Sequence, residues 1–311
     1  MVRRLSARSL RPFYLRARAA AREFVVRHPS LDRKLGRSLV RVDLLLRRLG
    51  LVSVMDEHQR EVELDGCRFK FDAANRDLAS TILTTGEYEA ATLSAIRALL
   101  GPGAGFVDLG ANLGFFSVLA AKAMGPTGRV HAFEPTPATA RLLRENVAYN
   151  SVEDRVTVVE RAVSDHPGAA RFSLYSAAQG NQLAVAGSDG ASGTIEVDVT
   201  TLDEYFGALG WPRVDVIKMD VEGVETKVLD GMGELIRRQP RLRLIFEYHL
   251  GQLDRAHVSG ASLIDKVLEL GFDRFEMLFR GREAIALPAE RLRLERQAQR
   301  ANLNILAWRN G

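Results

Sequence analysis

The sequence predicts an α/β fold built on a mostly parallel sheet. Three observations carry this. Short apolar runs alternate with amphipathic stretches from about residue 105 onward, the pattern of strands joined by right-handed helical crossovers. One run, FVDLGANLGFF at 106–116, passes through a turn with two glycines straight into a helical stretch. Two late runs, RFEMLF at 274–279 and LNILAW at 303–308, suit a terminal antiparallel pair.

The elements follow in order. Residues 3–27 and 31–50 read as two basic amphipathic helices separated by His28-Pro29-Ser30, with Gly50 as a C-cap. REVELDGCRFKF at 60–71 alternates around Asp65-Gly66, a hairpin signal. Residues 86–99 read as a helix ended by Gly101-Pro102-Gly103. Strand–helix pairs are then expected at 105–110 with 112–124, at 129–134 with 136–150, and at 155–163. ARFSLY and TIEVDV are strand-like and flank a Gly/Ser/Ala-rich stretch, 177–193, read as a surface linker or a lid over a ligand. VDVIKMD at 214–220, a helix at 222–238, LRLIFEYH at 242–249 and a helix at 260–270 complete the series. The domain reading is a basic helical extension at 1–50, a hairpin and helix at 51–100, and the α/β domain at 101–311.

Charge is uneven. Residues 1–50 hold 14 Arg and Lys against 3 acids, while the remaining 261 hold 29 against 36. The arm would be an accessory unit with a solvated basic face, or a contact for an anionic membrane surface or polyanion. It has no apolar stretch of the kind a secretory signal or a spanning helix requires. A single cysteine, Cys67, excludes an internal disulfide framework and points to a reducing, cytoplasmic compartment.

Candidate site residues lie at strand ends. Gly110 and Gly114 would bring bare backbone and a helix N-terminus close to a ligand. Asp108 beside them would repel a pyrophosphate and attract an ammonium, so the turn suits a zwitterion better than a dinucleotide. Glu134, ending the next strand, could accept both hydroxyls of a ribose, or could serve as a helix acid before Pro135. Asp220 ends the strand that carries Lys218, where open parallel sheets bind ligands. Lys218 would be a paired core lysine or a catalytic cation. Glu222 and Glu225 would favour a helix N-terminus, with Glu222 alternatively contacting substrate. Glu247 and His249 close the next strand, with His249 a general base or a cap. Asp220, Glu247 and His249 would also allow a divalent ion such as Mg²⁺, although three ligands on two strands are no spacing signature.

The strings DLGANLG, AFEP and IKMDVEG, in this order and spacing, resemble the FkbM family of S-adenosylmethionine-dependent methyltransferases over roughly 86–250. The resemblance implies the class I methyltransferase fold, Rossmann-like, with a seven-stranded mostly parallel sheet ending in an antiparallel hairpin. It implies that Asp108, Gly110, Asn112 and Gly114 surround the methionine part of the cofactor, that Glu134 holds the ribose, and that Asp165, with Val163 or Ser164 through its backbone, contacts adenine. Asp165 could instead form an Asx-turn. Tyr88-Glu89 matches the family's YE, placing Glu89 near the cofactor's ammonium or as a first-turn helix acid. Asp220 would face the sulfonium or the acceptor. The implied activity is methyl transfer, with a hydroxyl oxygen of a sugar, glycan or secondary metabolite as the leading acceptor. The rivals are an RNA methyltransferase, a dinucleotide oxidoreductase and a non-catalytic S-adenosylmethionine-binding protein. No nucleic-acid partner is expected, because the core is acidic and no N-P-P-Y-like stretch follows the fourth strand.

Overall fold

Asp65 and Gly66 both take positive φ, 52° and 74°, so the first hairpin turns through a type I′ pair as its Asp-Gly signal predicts. It joins β1 (Glu61–Leu64) to β2 (Cys67–Lys70), with Leu64 opposite Cys67. The computed structural model describes residues 61–71, 78–79, 82, 86–174, 182–183, 193–299 and 303–310. The two expected helices within residues 1–50, and nearly all of the 177–193 stretch, lie outside the described residues.

The chain continues through α1 (Ala90–Leu99), β3 (Gly105–Leu109), α2 (Phe115–Met124), β4 (Arg129–Phe133), α3 (Pro137–Tyr149) and β5 (Val156–Val159). Then come β6 (Ala162–Val163), β7 (Gly168–Leu174), β8 (Gln182–Leu183), β9 (Gly193–Thr200) and α4 (Leu202–Ala208). Next are β10 (Val216–Met219), α5 (Glu225–Asp230), α6 (Gly233–Arg238), β11 (Arg243–Tyr248), α7 (Leu250–Arg255) and α8 (Gly260–Glu269). β12 (Arg274–Leu278), β13 (Arg282–Ile285), α9 (Arg291–Ala298) and β14 (Leu303–Trp308) complete it.

The main sheet runs β13-β12-β14-β11-β10-β3-β4-β5. Its five strands from β11 to β5 are parallel, and β14 enters antiparallel between β11 and β12. The order reverses between β3 and β10, which opens a crevice at their C-terminal ends. Alternate residues feed two cores. Phe106 and Val216 join one, with α1, α2 and the β1–β2 hairpin. Val107, Leu109, Ile217 and Met219 join the other, with α4 to α8.

The hairpin is tied to this frame by polar bonds as well as by packing. Asn146 of α3 accepts the Lys70 N–H at 2.7 Å and donates to the Lys70 and Leu113 carbonyls at 3.0 and 2.9 Å. Asn150 does the same for Arg68, one turn on. One buried asparagine thus links β2 to the glycine turn.

Four expectations change. The main sheet has eight strands, because β13 adds a strand outside β12. The run at 155–163 is two strands in different sheets, parted at the exposed Glu160 and Arg161; β6 joins a second sheet, β6-β9-β7-β8, in which ARFSLY and TIEVDV pair. The helix expected at 222–238 is two short helices. It starts late because Glu222 and Gly223 have positive φ, and it breaks at Gly231, where a Cβ would lie 2.2 Å from the Ser164 carbonyl oxygen. The helix after the glycine turn begins at Phe115 for the same backbone reason. Short amphipathic elements were also not anticipated, among them α4, α7 and α9. Among the described residues no helix is long and apolar enough to cross a membrane.

Candidate active site

β3 is buried along its whole length and leads into a turn of left-handed residues. Gly110, Asn112 and Gly114 have φ of 75°, 50° and 86°. A Cβ on Gly110 would sit 1.9 Å from the Asp220 carbonyl oxygen, and one on Gly114 would sit 2.3 Å from Leu143 Cδ1. The first glycine therefore lets the ends of β3 and β10 meet, and the second lets the turn pack on α3. The Gly110 and Ala111 N–H groups donate to the Phe133 carbonyl at 3.1 and 2.9 Å.

Glu134, just past β4, braces the same turn. Its Oε2 accepts the Asn112 N–H at 3.1 Å and its Oε1 accepts the Thr136 N–H at 3.0 Å. Each carboxylate oxygen has a second lone pair for a further donor. Burial pushes this carboxyl up to about 7, against the pull of those bonds.

Asp108 and Lys218 are register neighbours on β3 and β10 and share one sheet face. Asp108 is fully buried; its Oδ2 accepts the Ser117 hydroxyl at 2.6 Å, while its Oδ1 has no partner. Lys218 is 2% exposed, with Nζ 3.0 Å from Asp220 Oδ2 and 4.7 Å from the centre of the Phe116 ring. Burial pulls its pKa down, but Asp220, Asp108 and Glu89 outweigh that and hold it above the ordinary lysine value. The strand lysine is thus a paired, charged hub.

Further carboxyls face this hub. Glu89, left-handed at φ 42° and capping α1, accepts the Asn304 side-chain N–H at 2.8 Å. Tyr88 beside it packs on Phe115 and Phe116. Glu247 sits opposite Asn304 in the β11–β14 register, and its Oε2 is buried without a partner. Burial first, then Asp220 and Glu222, push Glu247 up to about 10. Glu222, at φ 59°, is bonded by the Gln252 side-chain amide of α7. Its pKa rises to about 8 through burial and the Asp220 charge. Glu225 is 1% exposed and accepts the Gly223 N–H at 3.1 Å through Oε1, leaving Oε2 unpartnered.

Eight of the expected residues therefore converge at the C-terminal ends of β3, β4, β10 and β11: Glu89, Asp108, Gly110, Asn112, Gly114, Glu134, Asp220 and Glu247. Ser164 and Asp165 follow β6, where the Ser164 hydroxyl donates to Asp165 at 3.0 Å and His166 Nδ1 lies 2.7 Å from the same oxygen. His249 caps α7: its Nδ1 accepts the Gln252 N–H at 3.1 Å. In the neutral ring the proton then sits on Nε2, which leaves no free lone pair for a general base. Among the described residues no three His, Cys, Asp or Glu side chains are placed to hold a metal ion. Ser117, Asn304 and Gln252 were not anticipated. Nothing local marks them, since each acts on a residue from another element.

The residues present suit S-adenosylmethionine: an orphaned buried Asp108 oxygen would accept from an ammonium and the Glu134 carboxyl from a diol. Strand order, reversal point and these strand-end acids together define a class I methyltransferase fold. The methyltransferase FkbM domain matches residues 108–274, more than half of the chain, and the protein belongs to the FkbM methyltransferase family.

Among its relatives is the 31-O-demethyl-FK506 methyltransferase FkbM of Streptomyces tacrolimicus, 31% identical over 48% of this chain and 67% of that protein. Methyltransferase sdnD of Sordaria araneosa is 31% identical over 41% of this chain, and the match spans only 60% of that protein. Among solved structures, the precorrin-6y C5,15-methyltransferase of Geobacter metallireducens GS-15 aligns with 71% of this chain and 87% of its own, at 17% identity and a TM-score of 0.41.

Proposed function

We propose that this protein transfers the methyl group of S-adenosylmethionine to a hydroxyl oxygen of a small molecule, with a sugar, glycan or secondary metabolite as the acceptor class. The observation that carries the cofactor is the pairing of Asp108 and Glu134 across one glycine turn, with acceptor capacity left on both. Support for oxygen as the acceptor atom comes from the Streptomyces relative, whose name specifies a 31-O-demethyl substrate.

When bound, S-adenosylmethionine supplies a methyl group on a good leaving group. The residues of the chain do the rest. Gly110, Asn112 and Gly114 admit the methionine half, and Asp108 with Glu89 receives its ammonium. Glu134 holds the ribose hydroxyls, and Ser164 and Asp165 reach the adenine. Asp220, fixed by Lys218, would orient the acceptor hydroxyl for methyl transfer. Holding the two reacting atoms near 3–3.5 Å can supply roughly 7–11 kcal/mol of the acceleration. The hydroxyl proton goes to the Asp220 carboxylate, since His249 Nδ1 is committed as a cap.

Incubation of the protein with isotopically labelled S-adenosylmethionine and a metabolite extract tests the proposal. The expected product carries label in an O-methyl group of a small hydroxylated compound. Label in RNA, or on carbon or nitrogen, would overturn the acceptor assignment.

A further inference from the structure

Glu89, Asp108 and Asp220 surround one lysine, Lys218, and Glu222, Glu225 and Glu247 gather beside Asp220. β10 carries Lys218 and Asp220 follows its end; from the next turn and α5 come Glu222 and Glu225; from the start of α1 come Glu89 and Tyr88. Arg255 of α7 faces Glu222, and the uncharged Asn304 of β14 stands opposite Glu247. The acids outnumber these cations. Three of them, Asp108, Glu225 and Glu247, each keep a buried oxygen with no hydrogen-bond partner, and the first two are 0% and 1% exposed. Buried carboxylates without partners are costly, and burial raises Glu222, Glu225 and Glu247 above the ordinary carboxyl range.

We propose that the Glu222–Glu225–Glu247 wall is a charge-responsive part of the cofactor site, which releases protons to accommodate the sulfonium and thereby distinguishes S-adenosylmethionine from its neutral-sulfur product. This rests on the cofactor assignment above. The wall is fixed in place: Gln252 holds Glu222, the Gly223 N–H holds Glu225, and β11 carries Glu247 next to Asp220. An opposite charge within about 4–6 Å favours the ionised carboxylate. With Glu247 near 10 and Glu222 near 8 before binding, protons are available for release at pH 7.5. S-adenosylhomocysteine brings the same ammonium, carboxylate and nucleoside without the sulfur charge, and leaves those protons in place.

The test is titration calorimetry of the full chain with each compound at pH 7.5, in phosphate and in Tris, whose ionisation enthalpies differ. S-adenosylmethionine is expected to release about one proton more than S-adenosylhomocysteine, and its relative affinity to rise up to roughly tenfold per pH unit. Glu247→Gln should remove most of the difference; if that variant does not fold, Glu222→Gln serves. Equal proton release by the two compounds, with both bound, overturns the proposal and leaves the cofactor assignment standing. Absence of heat with either compound overturns both.

Discussion

Lys218 Nζ lies 3.0 Å from Asp220 Oδ2, within a strand that is otherwise apolar and buried. The pair joins the sheet to the candidate site, because Asp220 also packs its backbone against Gly110. Lys218→Met would leave Asp220 and Asp108 without their cation. Removing one partner of a buried pair costs about 3–5 kcal/mol. Lys218 keeps its charge across ordinary pH, since its folded pKa lies above the ordinary lysine value and its contribution is lost only as pH rises beyond that. The stranded carboxyls can escape by protonation, so the loss should be larger at pH 8 than at pH 5. Urea unfolding at the two pH values measures it.

Gly110→Ala should lose cofactor binding before it loses the fold. The left-handed backbone alone costs about 1–2 kcal/mol for a residue with a Cβ, and that Cβ would meet the Asp220 carbonyl oxygen at 1.9 Å. Relief requires the ends of β3 and β10 to part. Titration calorimetry with S-adenosylhomocysteine, alongside circular dichroism, separates the two effects.

Glu134→Gln replaces one of two acceptor oxygens with an amide donor that faces a backbone N–H. An unsatisfied buried donor costs about 1–3 kcal/mol, and every 1.4 kcal/mol transferred to binding is about tenfold in affinity. S-adenosylmethionine should bind at least about tenfold more weakly. In the unaltered protein the ionised form is the one that accepts two hydroxyls, so Glu134, at about 7, should weaken binding as pH falls from 8 to 6. A binding constant independent of pH over that range contradicts this role.

The raised carboxyls make the ligand-free protein sensitive to alkali. Burial and the neighbouring carboxylates push Glu247 up to about 10, far above the ordinary glutamate range. Between those values the native state holds the extra proton, so its stability falls as pH rises. Glu247→Gln removes that dependence. Its melting temperature should match that of the parent near pH 5 and exceed it at pH 9. Parallel melting curves across the range would show that Glu247 is not buried in its neutral form.

His249→Ala should behave as the loss of a helix cap. The expected cost is about 0.5–2 kcal/mol, with Ser or Asn at 249 recovering most of it. Methyl transfer, once an acceptor is known, should survive in the capped variants. A pH–rate profile that loses its acidic limb with His249→Asn would restore the histidine as the proton acceptor.

Much of this molecule is written locally. Val107, Ile217 and Leu244 lie in short apolar runs between turn residues, and such runs mark parallel strands wherever they occur. Asp65-Gly66 specifies its own turn, because both residues tolerate positive φ. Asp108 and Glu134 were visible as acids at strand ends, and the spacing of Gly110 and Gly114 marked a tight turn of bare backbone. The run at 155–163 misled because an apolar segment does not state which strand it pairs with. The helix at 222–238 misled because its break depends on the Ser164 carbonyl, which is close to Gly231 only after folding.

The sequence by itself determined the alternation of strands and helices, the glycine turn and the acids beside it, since period and turn chemistry act over a few residues. Tertiary structure alone decided that Lys218 is the shared partner of Asp220, Asp108 and Glu89, that Asn304 stands opposite Glu247, and that His249 serves as a cap. Those relationships depend on which strand lies beside which and on what burial does to a charge. Both arise from residues far apart along the chain.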